Sequence, residues 1–228
     1  METITTMKLS KKTIEILKNF STINSNILVE PGNIIKTISP VKNVMAQATV
    51  SETFDCQFGI WDLNKLLGTI SLFDSPEFFF EETHVTIVGA NGTKVTYYYS
   101  EPKLLTTINK TITMPETVVS FELKNDDFSE LQKASSVLQL PDLCLRSSGN
   151  ITELVSMDKK DSTSNNYSVE VGTNNNEDFE FYFKVENLKL MPGNYDVEVT
   201  EKVVSKFTNQ DTDLSYWIAL ESDSRYEK

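Results

Sequence analysis

The chain has 228 residues, 39% of them apolar, and a net charge of −12 at pH 7 from 21 basic and 33 acidic residues. This length supports either one large β-rich domain or two domains of about 110 residues. No run of about 18 apolar residues is present, which excludes a transmembrane helix, and we expect no membrane partner. Residues 1–10 lack the apolar segment of a secretory signal, so we expect a cytoplasmic protein.

The acidic residues are concentrated in the second half of the chain. Residues 1–114 carry 10 lysines and 11 acids, whereas residues 115–228 carry 11 basic residues and 22 acids. This balance argues against a nucleic-acid-binding protein, because phosphate contacts need cations. The segment from Lys8 to Lys18 is an exception, since it holds four lysines and only one acid, Glu15. It indicates a local basic surface, although an ordinary solvated helix face would have the same composition.

The same basic segment has the pattern of an amphipathic helix. Ser10 is a suitable N-cap for a helix that runs to about Thr22. At about 100° per residue, one side of this helix is apolar and the other is polar. The apolar side holds Ile14, Leu17 and Phe20, with Ile16 at its margin, and the polar side holds Lys11, Glu15, Lys18 and Thr22.

Most of the remaining chain is predicted to be β-strand. Alternating and β-branched runs are separated by turn signals such as Asn91-Gly92, which favours an α+β protein with more strand than helix. The predicted strands cover residues 26–29, 34–38, 45–50, 54–61, 84–88, 93–99, 118–123, 142–145, 167–171, 179–185, 195–200 and 216–220.

Three further helices are predicted, over residues 62–68, 126–138 and 186–193. The two short ones share a pattern in which an acid opens the helix, Lys65 or Lys189 follows three residues later, and a glycine closes it at the left-handed C′ position. In the long one, Asp126 and Asp127 suit the helix dipole. Its apolar face comprises Phe128, Leu131, Ala134 and Leu138, and the opposite face comprises Ser129, Lys133 and Ser136.

The two halves of the chain repeat this order of elements. Leu17 and Leu131 occupy equivalent places in the two long helices at an offset of 114 residues, which is half of the chain. Asp62 and Glu186 open the two short helices at an offset of 124 residues. The pattern indicates an internal duplication, and we predict one domain over residues 1–110 and a second over residues 111–228.

Residues typical of catalytic and metal sites are scarce. His84 is the only histidine, and it lies in a strand-like run without a cysteine or acid at ligand spacing. No Gly-rich phosphate loop is present, and we expect Cys56 and Cys144 to be reduced core thiols. We therefore expect no cofactor, no metal and no catalytic residue, while a chance pair of carboxylates remains open.

Four groups of residues resemble, in order and spacing, the sliding clamp of T-even-type bacteriophages. They are residues 7–11 with 17–20 and 22–25, residues 62–64 with 67–68 and 71–72, residues 191–195, and residues 219–224. The resemblance covers almost the whole chain but not residues 75–100 and 146–176. It begins at Met7, so residues 1–6 are either an extension of the first domain or precede the true start.

This resemblance implies a DNA clamp fold. Each of two similar domains would have outer antiparallel β-sheets and two inner α-helices, and three protomers would form a pseudo-sixfold ring around double-stranded DNA. The homotrimer would tether the replicative DNA polymerase, be opened and closed by an ATP-driven clamp loader, and activate late transcription with late-transcription factors and RNA polymerase. It would act in the cytoplasm of the infected bacterial host and catalyse no reaction.

The resemblance also assigns roles to particular residues. The candidates for facing DNA are Lys8, Lys11, Lys12, Lys18, Lys65, Lys133 and Lys189. The candidates for a partner-peptide pocket are Leu104, Leu105, Ile108 and Trp217. The alternatives are solvated surface lysines and ordinary core or linker packing. The alternative function is that of a β-rich phage structural protein of the virion.

Overall fold

The computed structural model describes residues 5–108, 113–174, 177–201 and 203–227. The chain divides into two compact units, Met1–Thr111 and Ile112–Lys228. The predicted domain boundary between Lys110 and Thr111 lies outside the described residues. Within the described ranges, no helix is long and apolar enough to cross a membrane.

The first unit combines two helices with antiparallel strands. The helices are α1 (Lys11–Ile23) and α2 (Leu63–Ile70), and a 3-10 turn covers Pro102–Leu104. The strands are β1 (Thr5–Met7), β2 (Ile27–Val29), β3 (Gly32–Ile38), β4 (Val44–Phe54), β5 (Phe58–Ile60), β6 (Glu77–Phe80), β7 (His84–Val88) and β8 (Lys94–Tyr98). One sheet has the order β1-β6-β7-β8, β2 pairs with β5, and β3 pairs with β4.

The second unit has one α-helix among its described residues, α3 (Asn125–Leu138), and a 3-10 turn at Val185–Asn187. Its strands are β9 (Thr117–Leu123), β10 (Asp142–Ser148), β11 (Ile151–Met157), β12 (Tyr167–Thr173), β13 (Asp178–Lys184), β14 (Tyr195–Thr200), β15 (Val204–Asn209), β16 (Leu214–Ala219) and β17 (Arg225–Glu227). They pair antiparallel in the orders β12-β11-β10-β13-β17 and β16-β15-β14-β9.

Each unit has its own apolar core. In the first unit, the Phe58 ring packs against Phe80 at 5.0 Å and Phe54 at 5.5 Å between ring centroids. In the second, Tyr195 and Tyr216 are fully buried with their ring centroids 6.1 Å apart. Buried aromatic pairs of this kind contribute to packing beyond the area that they remove from water.

The structure confirms the two long helices but corrects their buried faces. In α1, Ile16 is buried at 2% exposure while Ile14 is only half-buried, so Ile16 is not at the margin. In α3, Leu138 is 38% exposed, because the helix ends there, and Ser135 is buried instead. Ser135 can be buried because its hydroxyl donates to the Leu131 carbonyl at 2.8 Å.

The predicted short helices differ in outcome. The first forms as α2 with Asp62 as its N-cap, but Gly68 lies inside the helix and does not close it. The second prediction, a helix over residues 186–193, is wrong, because only the Val185–Asn187 turn forms there. The expected pair of helices per domain is therefore seen in the first unit alone, among the residues described.

The predicted strands were found, with one division and several omissions. The run at residues 54–61 is divided between β4 and β5, which belong to different pairings. Strands β1, β6, β11, β15 and β17 were not predicted. β11 lies between β12 and β10 and is buried on both faces, so its residues do not alternate between apolar and polar.

Candidate nucleic-acid interface

The N-terminus of α1 is held by a neighbouring strand as well as by its own cap. The Ser10 hydroxyl accepts a hydrogen bond from the Thr13 amide at 3.1 Å, as the sequence predicted. The Glu52 carboxylate on β4, only 8% exposed, accepts from the Ser10 amide and, at 2.5 Å, from the Thr13 hydroxyl. Burial raises the pKa of Glu52, but these hydrogen bonds outweigh it and hold the pKa below its ordinary value.

The exposed side of α1 is basic. Lys11, Lys12 and Lys18 are exposed, and the apolar side of the helix is buried. None of the ion pairs among the described residues involves these three lysines. Their charges are therefore available to an external polyanion.

Two other candidate lysines of the first unit are exposed but have acidic neighbours. Lys8 Nζ lies 3.3 Å from Glu77 Oε1, and Lys65 Nζ lies 3.7 Å from Asp62 Oδ2. Exposed pairs of this kind are worth about 0–1 kcal/mol, so they would compete only weakly with a phosphate.

The N-terminus of α3 is also held by a distant segment. The Asn125 amide donates to Asn194 Oδ1, and the Gly193 amide donates to Asn125 Oδ1, both at 2.9 Å. Met191, in the same segment, bonds to both buried tyrosine hydroxyls of the core: its amide donates to Tyr216 at 3.2 Å, and its carbonyl accepts from Tyr195 at 2.7 Å. Residues 191–195 thus anchor α3 to the core of the second unit.

The exposed side of α3 differs from that of α1 in charge. Lys133 is exposed as predicted, but Asp126 and Glu130 are exposed beside it. Glu130 lies three residues before Lys133, one turn away on the same side of the helix. The Tyr167 hydroxyl donates to Glu130 Oε2 at 2.8 Å. Lys189 is exposed as well, but it follows the 3-10 turn and does not lie on a helix.

The four candidates for a partner pocket have different surroundings. Leu104 is 58% exposed, whereas Leu105 is buried and its side chain packs closely over Gly59. Ile108 lines a groove of the first unit together with Leu28, Ile34 and Ile38. Trp217 is half-buried on β16 in the second unit, with Lys206 Nζ 5.9 Å from its ring and with no partner for its buried Nε1.

The residues most able to support chemistry are held in structural contacts. His84 Nε2 lies 3.1 Å from Glu81 Oε1, and the His84 ring packs 5.4 Å from that of Tyr98. Burial raises the pKa of the Cys144 thiol to about 12, which disfavours the reactive thiolate. Over the described part of the chain, no group of three or more His, Cys, Asp or Glu residues is arranged to hold a metal ion.

Comparison with known proteins identifies the family. Residues 8–78 match the family described as DNA polymerase processivity factor, and residues 120–222 match that described as gp45 sliding clamp, C terminal. The chain is 31% identical to the sliding clamp of Vibrio phage KVP40, covering 95% of this chain and all of that protein. It is 34% identical to the sliding clamp of Escherichia phage RB69, covering 97% of this chain and all of that protein.

A solved structure of a DNA clamp shares the fold of this chain. The crystal structure of proliferating cellular nuclear antigen from Entamoeba histolytica superposes with a TM-score of 0.69 at 11% identity, over 95% of this chain and 98% of that one. This likeness confirms the predicted DNA clamp fold, and the alternative of a virion structural protein finds no support. The chain belongs to the sliding clamp family of DNA polymerase processivity factors.

Proposed function

We propose that this sliding clamp closes as a homotrimeric ring around duplex DNA and tethers the phage DNA polymerase, with the exposed lysines of α1 facing the phosphates. The observation that carries the proposal is the basic side of α1, with Lys11, Lys12 and Lys18 free of ion pairs among the described residues. A clamp that slides needs weak contacts to the sugar–phosphate backbone and none to the bases. A few unpaired lysines supply such contacts, and the acidic remainder of the protein repels DNA elsewhere.

Two strand edges support ring closure. Among the strands of the described residues, β8 and β12 each have a neighbour on one side only. On β8, Val95 and Tyr97 pair with buried Ile87 and Val85 but are themselves only half-buried. Tyr167, Val169 and Val171 on β12 are half-buried as well. Pairing β8 of one protomer with β12 of the next would cover both edges.

The charges favour one register for this pairing. If Val95 lies opposite Val169 in an antiparallel pair, Tyr97 lies opposite Tyr167, and exposed Lys94 lies opposite exposed Glu170. A shift of one residue would place apolar side chains against exposed ones, and a shift of two would lose the ion pair. Opposite charges across strands contribute about 0.2–1 kcal/mol, and like charges oppose pairing.

A charge exchange tests the ring and its register. We expect Lys94→Glu and Glu170→Lys each to weaken the assembly roughly tenfold, through a swing of about 1.4 kcal/mol from attraction to repulsion, and the double exchange to restore it. Light scattering should give about three times 25.8 kDa for the wild type and for the control Lys42→Glu. A wild-type monomer or dimer would reject the trimer. A double exchange that stays as weak as the single variants would reject the register alone.

The groove of the first unit is our candidate for the polymerase contact. Leu28, Ile34, Ile38 and Ile108 line it, and Ile34 is 42% exposed, which suits an apolar segment of a partner. Leu104, also exposed, is a second anchor. Trp217 is a separate candidate on the second unit, because it is only half-buried on β16 and its ring offers a large apolar surface to a partner.

The functional assay follows from this role. Polymerase on primed DNA should become processive only when this protein, an ATP-driven clamp loader and ATP are all present. We expect no catalysis and no cofactor requirement of the chain itself. ATP turnover by the chain alone, abolished by a point mutation in it, would contradict this.

We also propose action in the cytoplasm of the infected host and stimulation of late transcription by RNA polymerase and its late factors, testable by transcription from a late promoter with and without the clamp.

DNA contact has a matched test of its own. A Lys11→Glu/Lys18→Glu variant should load poorly onto nicked circular DNA, while Lys42→Glu/Lys160→Glu, which changes exposed lysines outside the helices, should load normally. Light scattering checks that both remain assembled. Equal loading of the two variants would show that α1 does not face DNA.

A further inference from the structure

The two long helices present opposite charge on their exposed sides. On α1, opposite the buried face, Lys11 and Lys18 flank a single acid, Glu15, and Lys12 lies nearer the edge. On α3, the charged residues of the exposed side are Asp126, Glu130 and Lys133. The exposed face of α1 therefore carries a net positive charge and that of α3 a net negative one. When Asp127 and the exposed Lys124 at the start of α3 are included, the helix has three acids and two lysines, so its net charge is still negative.

The local environment of Lys133 limits its value for binding phosphate. Glu130 is three residues away, about 4.5 Å along the helix axis at a rise of about 1.5 Å per residue. This lies within the screening length of about 8 Å at physiological salt. Asp126 is two turns away, about 10.5 Å along the axis. A phosphate that approached Lys133 would also meet the carboxylate of Glu130, so its net attraction to Lys133 is weaker than to a lysine with no acid within one turn.

The exposed lysines of α1 share one acidic neighbour, Glu15, which lies within one turn of both Lys11 and Lys18. Glu15 is the only acid of the helix and stands between two lysines on the exposed side, so the sum there remains attractive. Because α1 and α3 occupy equivalent places in the repeated order of elements, a symmetric clamp would show the same charge on both. The described residues do not show this symmetry.

We infer that, of the two long helices, α1 makes almost all of the phosphate contacts, and that the acids of α3 repel DNA and set how loosely the clamp holds it. This inference rests on the proposed DNA-encircling function. Its partner is the phosphate backbone of duplex DNA. Lys133 therefore contributes less to phosphate binding than Lys11 and Lys18, although helix periodicity in the sequence predicts the same role for all three.

The experiment compares the salt dependence of DNA binding by the assembled protein. A short fluorescent duplex is the probe, and anisotropy at a series of low salt concentrations gives the slope of log K against log salt. The variants are Lys11→Gln/Lys18→Gln, Lys133→Gln, Asp126→Asn/Glu130→Gln, and the latter combined with Lys133→Gln. Lys42→Gln/Lys160→Gln is the matched control, and melting curves check that each variant is folded.

Each outcome decides the matter. Each α1 lysine lost should reduce the slope by up to about 0.9, and Lys133→Gln alone by less than half of that. Asp126→Asn/Glu130→Gln should tighten DNA binding roughly two- to fivefold. When Lys133→Gln is added to this double variant, it should reduce the slope by as much as the loss of one α1 lysine does. A Lys133 effect equal to that of one α1 lysine, or unchanged affinity after acid neutralisation, overturns the inference. Absence of any salt-dependent attraction in the wild type overturns the proposed DNA contact itself.

Discussion

Replacing Glu52 with alanine removes the acceptor that holds the first turn of α1 against β4. The carboxylate accepts hydrogen bonds from the Ser10 amide and the Thr13 hydroxyl, and a third, at 3.1 Å, from the Ser51 hydroxyl. Thr13 is 1% exposed, so water cannot replace the lost partner of its hydroxyl. The Ser10 hydroxyl cap on the Thr13 amide remains in the variant.

The expected loss in stability is worked from the hydrogen bonds that the Ser10 amide and the Thr13 hydroxyl make to Glu52, which are less exposed than that of Ser51. A hydrogen bond to an ionised acceptor contributes about 1.5–3 kcal/mol, and the lower figure is appropriate because Ser10 is only partly buried. We expect Glu52→Ala to lower the free energy of unfolding of the first unit by about 3 kcal/mol at neutral pH. Glu52→Gln keeps one acceptor oxygen and should lose about half of that.

The effect should depend on pH with a definite sign. The pKa of Glu52 in the folded protein lies below its ordinary value of 4.5, because hydrogen bonds to the ionised form outweigh the effect of burial. Its stabilising contribution is therefore present above pH 4.5 and is lost as the pH falls through the folded value. The difference in stability between the wild type and Glu52→Ala should shrink over that acidic range.

The assay is urea unfolding at one fixed protein concentration, followed by Trp61 fluorescence in a Trp217→Phe background. Trp61 is then the only tryptophan, so the signal reports the first unit. Glu82→Ala, an exposed glutamate in the same unit, is the control and should change stability by less than about 0.5 kcal/mol. If Glu52→Ala matches this control, or loses the same stability at every pH, the anchoring role of Glu52 is refuted.

Further predictions use the same urea method, with Trp217 as the reporter for the second unit. Gly193→Ala should cost about 1–3 kcal/mol, because φ is +146° and a Cβ would lie 2.4 Å from Asn209 Nδ2. Gly68→Ala, inside a helix with open space around it, should instead stabilise by about 0.5–1 kcal/mol, and a loss would contradict its placement. Leu131→Ala should cost about 2–5 kcal/mol and Leu138→Ala under about 1 kcal/mol. Equal losses at the two leucines would contradict the difference in their burial.

Sequence alone determined the features that depend on local pattern. The Ser10 cap and the exposed lysines of α1 are read within one short segment, and the structure agrees with them because a cap and helix periodicity are local. Most strands were recognisable for the same reason, since one face of each is apolar. The family was recognisable from the order of several weak motifs along the chain.

Tertiary structure decided what depends on distant residues. Residues 186–193 have a helix-like pattern, yet the backbone of Met191 and Gly193 bonds to the side chains of Asn125, Tyr195 and Tyr216 and does not continue a helix. The partnership of Glu52 with the start of α1 spans 39 to 42 residues and left no local signal. Whether a helix continues and which carboxylate anchors a helix are set by hydrogen bonds to residues that only folding brings near.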